Sequence, residues 1–210
     1  MSDARPESLE LAERIAERLC HDISSSAQAL ASGLDLLREA RTTDERDEAV
    51  TLLSDALAAQ TFKVGYARKA YGLAQAADTA ELKALAAALY TDLRPSLDWA
   101  VQAPSLGPAA ARVLLILLQI AADALAAGGV VRVSSAPDGS TVELDMTGPR
   151  IALKDEFRAG LAGRAISAGL GGRWVQGAFV AALASASGGK VDLDSREEGA
   201  SIRVSLSPGR

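Results

Sequence analysis

His21 is the only histidine in the chain, and Cys20 and Asp22 flank it inside a long helical pattern. Neutral imidazole is nucleophilic near neutral pH, and an adjacent carboxylate has the spacing to hold its ring by a hydrogen bond. Apolar residues fall at Ile15, Leu19, Ile23, Ala27, Leu30, Leu34 and Leu37. Gaps of three and four mark one stripe on an α-helix. At about 100° per residue, His21 projects roughly opposite that stripe, with Ser25 one turn later on the same face. Arg18 and Arg14 lie on that face one and two turns earlier. The geometry disfavours a core histidine and leaves two readings. One is a plain solvated histidine. The other is an imidazole presented sideways from a helix, where a partner protein can place a phosphoryl group on it. Asp22 and Ser25 each fit a supporting role or an ordinary polar surface equally well.

Composition removes several other chemistries. A net charge of −5 gives no footprint for nucleic acid. A lone cysteine forms no internal disulfide and, with a lone histidine, makes no dedicated zinc site. The start, MSDARPESLE, lacks the apolar core of a signal peptide, and the longest apolar run, Val113 to Leu118, is too short to span a bilayer. A reducing cytoplasm is therefore the expected location. The hydrophobic share of 49%, rich in Ala and Leu, is ample for a core and favours helices.

The elements that must position His21 follow from the same pattern. Helix one is expected from about Pro6 or Glu7 to Ala40, about 50 Å long. Thr42 and Glu45 make a capping box for helix two, which runs from about Asp44 to Leu73. The short turn makes an antiparallel hairpin. Two helices alone cover too little of their apolar stripes, so a homodimer is expected in which two hairpins form a four-helix bundle. Folding at residue 42 brings Lys63 near the level of His21, with Arg68 and Lys69 one to two turns on. These three cations are equally explained as a solvated face.

After Gln75 the composition shifts. A short helix over Asp78–Leu89, an extended Arg94–Trp99 and a strong helix over Ser105–Ala127 are expected. Strands at 130–135 and 140–146 follow, joined by the turn Pro137-Asp138-Gly139. Then come a short helix at 153–161, a glycine-rich loop at 169–172, a helix at 173–187, and strands at 190–195 and 200–206 with Glu198-Gly199 in their turn. The fold class is α+β: a hairpin over 1–76, then a sandwich over 77–210 of a mixed or antiparallel sheet with helices on one face.

A helical hairpin with His-Asp on its first helix, followed by this order of elements, resembles a sensor histidine kinase core. In such a core a phosphotransfer hairpin is joined to a GHKL (Bergerat-like) ATP-binding domain. The histidine box is His21-Asp22-Ile23-Ser24-Ser25-Ser26. Kinases usually carry Pro where Ser26 stands, so helix one is expected to lack that kink. The nucleotide motifs depart from the pattern. Leu114–Leu125 matches the asparagine-box framework, yet Ile120 (or Gln119, one position off) stands where the Mg²⁺-binding asparagine belongs, and Ile offers no oxygen. Asp145-Met146-Thr147-Gly148-Pro149 keeps the first-glycine-box Asp but has Thr147 for its glycine. Trp174-Val175-Gln176-Gly177 replaces the GLGL phosphate cradle.

This combination resembles the ChpT family of histidine phosphotransferases, through Cys20-His21-Asp22, Gly33-Leu34-Asp35-Leu36-Leu37, Leu97-Asp98-Trp99, Val175-Gln176 and Gly188-Gly189. The resemblance implies a dimeric, kinase-like protein that has lost its ATP-binding motifs and carries no cofactor. His21 would take a phosphoryl group from the receiver Asp of a hybrid kinase and pass it to a response regulator of the CtrA or CpdR kind. The receiver would supply the Mg²⁺. Asp22 would support catalysis, and Arg18, Ser25 and Lys63 would support it or contact the receiver. Neither nucleic acid nor membrane is an expected partner. A non-catalytic adaptor that binds receivers or kinases through the same dimer is the alternative. An ATP-dependent autokinase is opposed by Ile120 and the missing GLGL.

Overall fold

The computed structural model describes residues 7–72, 75–164, 172–196 and 199–207. Two long helices, α1 (Glu7–Glu39) and α2 (Thr43–Tyr71), are followed by β1 (Ala77–Asp78), α3 (Thr79–Tyr90), β2 (Pro95–Ala100), β3 (Ser105–Leu106), α4 (Pro108–Ala124), β4 (Gly129–Ser135) and β5 (Thr141–Thr147). The chain ends with α5 (Asp155–Leu161), α6 (Gly172–Ala186), β6 (Lys190–Ser195) and β7 (Gly199–Ser205). The mixed α+β class and nearly every element match the sequence reading. The glycines at 169 and 171 and Glu198 lie outside the described residues.

The chain divides into two compact units between Arg68 and Lys69, inside α2 and ahead of the composition change at Gln75. The last turn of α2 belongs to the second unit for a visible reason. Arg112 on α4 donates from Nε to the Ala70 carbonyl (3.4 Å) and from Nη2 to the Tyr71 carbonyl (3.3 Å). A cation at a helix C-terminus meets orphan carbonyls and the negative end of the dipole. Phe179 on α6 stacks on Tyr71 at 5.6 Å and lies under the Arg112 guanidinium at 4.7 Å. Lys69 pairs with Glu81, so its charge is engaged within the second unit.

In the first unit, the capping box starts α2 as its residues require. Glu45 Oε2 accepts from the backbone N–H groups of Arg41 (2.6 Å) and Thr42 (3.1 Å), and Glu45 N–H donates to Thr42 Oγ1 at 3.2 Å. Those donors hold the Glu45 carboxyl below its usual pKa, Arg41 first and Thr42 next. α1 continues unbroken through Ser26. The stripe expected on α1 is only partly covered. Ile15, Leu19, Leu30 and Leu37 are half-buried, but Ile23 and Leu34 are 45% and 47% exposed. The register of the hairpin is set at Gly33, where a Cβ would come within 2.8 Å of the Leu53 side chain.

The second unit holds a five-stranded sheet of order β2-β4-β5-β7-β6, parallel only between β2 and β4, beside a two-residue pairing of β1 with β3. That small pairing takes Ser105 and Leu106 out of the expected helix, which starts instead at Pro108 with Gly107 as its cap. Alternate residues Val131, Val133, Val142, Leu144, Met146, Ile202 and Val204 are buried beneath α4 and α6. The opposite face is polar. There Arg132 pairs with Asp98, and Arg203 with Glu143 at 2.7 Å, each across neighbouring strands. α4 ends at Ala124, short of the expected Ala127, and the turn that follows enters β4 through Gly128 and Gly129, whose φ of +105° and +141° favour glycine.

Candidate functional site

His21 stands in the middle of α1, and its side chain is 82% exposed. Its Nδ1 lies 3.4 Å from Asp22 Oδ1. The other carboxylate oxygen, Oδ2, lies 3.8 Å from Arg18 Nε. Arg18 therefore does not stand out on the His21 face as its position on a helical wheel suggests. Its side chain is only 23% exposed, half-buried like those of Ile15 and Leu19. Arg14 is half-buried too and pairs with Glu17 at 3.4 Å. Ser25 is exposed one turn beyond His21, and Cys20 is an exposed free thiol.

Lys63 is exposed on α2. Counting equal steps along both helices from the Gly33–Leu53 contact puts His21 level with Gly65, within a turn of Lys63. Arg68 is exposed on the same helix. What the arrangement can do chemically is specific. A nucleophilic ring is held out in water, with one nitrogen turned to a carboxylate and the other free to meet an electrophile from outside.

The positions matched to nucleotide motifs have other employment. Ile120 is 4% exposed within α4. Trp174 to Gly177 lie inside α6. A Cβ on Gly177 would meet the Phe157 carbonyl at 2.4 Å, and one on Gly160 would meet the Trp174 carbonyl at 2.3 Å. These two glycines let α5 and α6 cross at backbone contact. Between α4, α5 and α6 remains a cavity of about 10 Å³ lined by Ile120, Ala124, Leu153, Phe157 and Gln176. Gln176 is fully buried, and its amide has no partner among the described residues. Nothing in the local sequence signals that burial.

Asp145 lies within β5, opposite Arg132 on β4, on the polar face of the sheet with Glu143. Partial burial raises its carboxyl pKa and Glu143 adds to this, while Arg196, Arg132 and Arg203 oppose it. The buried neighbour on the helix side is Met146.

A family model described as histidine phosphotransferase C-terminal domain matches residues 79–199, and the chain belongs to that family. It is a phosphotransferase of the phosphorelay type, with a sheet-containing domain following its helical hairpin in the chain. The chain is 24% identical over 196 residues to the Protein phosphotransferase ChpT of Brucella abortus, covering 90% of this chain and 92% of that one. The structure of a bacterial phosphotransferase superposes with a TM-score of 0.80 at 23% identity, over 95% of this chain and 98% of that one. Among the described residues no helix is long and apolar enough to cross a membrane, and no group of three or more His, Cys, Asp or Glu side chains is placed to hold a metal.

Proposed function

We propose that His21 carries the phosphoryl group, taking it from the phosphorylated Asp of one receiver domain and passing it to the Asp of another. The observation that carries this is the chain's only imidazole, held out from the flank of a helix with Nδ1 facing Asp22. With the proton on Nδ1 and donated to Asp22, the lone pair of Nε2 points outward. Nε2 attacks phosphorus, the bond from phosphorus to the aspartyl oxygen breaks, and the receiver's carboxylate leaves with the electron pair. The second transfer reverses the roles. Splitting the transfer in two is nucleophilic catalysis. Positioning and charge neutralisation dominate phosphoryl transfer, and a divalent cation held by the receiver supplies the latter. The donor fits the receiver of a hybrid kinase and the acceptor a response regulator.

The second unit is proposed to bind no ATP. Its residues do not fit a nucleotide. Ile120 offers no oxygen to Mg²⁺. The glycine at 177 is spent on the crossing of α5 with α6, and the cavity there has room for about one water. Asp145 lies on the opposite face of the sheet from the helices.

The hairpin is proposed to be completed by a second copy. Among the described residues, Ile23 and Leu34 on α1 and Val50, Leu52 and Leu57 on α2 are 45–57% exposed. Large apolar side chains left this open on both helices mark an interface, and four helices close the core that two leave open. The dimer carries two His21 sites.

Reconstituted transfer tests the reading. Wild type should take label from a phosphorylated hybrid kinase and none from ATP alone, and His21→Ala should take none from either. Label from ATP alone would overturn the account of the second unit. Label on His21→Ala would overturn the assignment of the acceptor.

A further inference from the structure

We infer that Arg18 is a positioning residue for phosphoryl transfer, acting through Asp22 and not on the receiver. The inference rests on His21 as the acceptor. The two oxygens of Asp22 have divided tasks: Oδ1 lies 3.4 Å from His21 Nδ1, and Oδ2 lies 3.8 Å from Arg18 Nε. Exposure climbs along this chain of groups, from 23% for Arg18 to 48% for Asp22 and 82% for His21. The most covered end is the cation and the open end is the nucleophile. A receiver contact would call for the reverse, an open guanidinium.

Helix stabilisation does not account for the pair. At i,i+4 the favourable order places the acid before the base, in line with the helix dipole. Here the Arg comes first. A partly exposed ion pair at 3.8 Å also adds little to folding. What the pair does is restrict the Asp22 carboxylate, which in water would otherwise sample several rotamers. A guanidinium presents its donors as a planar, fixed fork, which suits it to restrain a carboxylate. With the carboxylate held beside Nδ1, the ring keeps its proton there. Nε2 is then presented, and the positive charge that develops on the ring during attack is met by Asp22.

Arg18→Ala, Arg18→Lys, Asp22→Asn and the double variant Arg18→Ala/Asp22→Asn would be compared in the full chain, with a phosphorylated receiver as donor. The expected result for Arg18→Ala is a fall in kcat of about three- to tenfold with KM for the receiver unchanged. Arg18→Lys should recover most of that loss. In the Asp22→Asn background, Arg18→Ala should add nothing, since the group it acts through is already altered. Phosphorus NMR of the phosphorylated Arg18→Ala protein should show a larger share of phosphoryl on Nδ1. A change confined to KM would assign Arg18 to the receiver and overturn the inference, as would independent, multiplying losses from the two positions. Label on His21→Ala would instead remove the acceptor reading itself, whatever Arg18 does.

Discussion

The hairpin and the second unit draw on similar residues and reach opposite states of completion. In α4, eleven of seventeen residues are buried. In the hairpin, across all the described side chains of residues 7–68, only Gly33, Ala49 and Tyr66 are buried. A sheet roofed by helices closes a core within one chain, whereas a pair of helices shares a single seam and leaves the rest of each stripe in water. The second unit therefore closes its own core, whereas the hairpin leaves apolar side chains exposed, as the proposed dimer requires. The proposed chemistry, at His21, sits on this more open element, where a nucleophile can be reached from outside.

That contrast can be broken most sharply at His21. Changing it to Ala should abolish phosphoryl transfer, by at least about 10³-fold, while leaving the thermal unfolding of the second unit where it was. A loss of folding would mean that the side chain has a structural task its exposure does not suggest.

Next comes a pair of leucines. Leu117, fully buried in α4, should cost about 2–5 kcal/mol when cut to Ala, read by denaturant unfolding. Leu57, 57% exposed in the hairpin, should cost almost nothing at dilutions where the chain is monomeric. At high protein concentration Leu57→Ala should lower the midpoint and weaken its dependence on concentration. Equal losses at both positions and all concentrations would erase the distinction between the units.

Gly177→Ala probes the crossing of α5 with α6. A methyl group directed at the Phe157 carbonyl should destabilise the second unit by about 1–3 kcal/mol, visible as a shifted midpoint with transfer chemistry intact at low temperature. If Gly177→Ala is neutral, the helices are not in backbone contact.

The smallest effects belong to the hairpin turn. Thr42→Ala should cost about 1 kcal/mol through the lost cap. Glu45 gives the turn a pH dependence whose sign is fixed by its lowered pKa. The contribution is fully present above the ordinary glutamate range and is lost as pH falls through the lower, folded value. Acid titration of helix content should show that loss in wild type and not in Glu45→Gln.

Much of this was legible in the residues. Periodicity located both long helices, and Pro, Gly and the Thr42–Glu45 pair located their ends, because caps and turns are decided within a few residues. The pairing of β1 with β3 was invisible, since two residues carry no period. Lys69 looked available to His21 from spacing alone, but its partner Glu81 lies on α3. The spacing that joins Arg18 to Asp22 was present in the sequence, but the partial burial of the Arg18 side chain was not, because a helical wheel gives a direction and not what covers a long side chain.

The sequence by itself determined the succession of helices and strands and the place of the only imidazole on the flank of a helix. Both follow from local periods of 3.6 and 2. Tertiary structure alone decided the rest. It chose which leucines of the α1 stripe are covered, because that depends on where α2 lies. It set the face of the sheet that Asp145 occupies, because a shift of one residue in strand pairing exchanges the two faces. It turned Gly177 into a helix contact, because only the arrival of α5 at backbone distance makes a missing side chain matter.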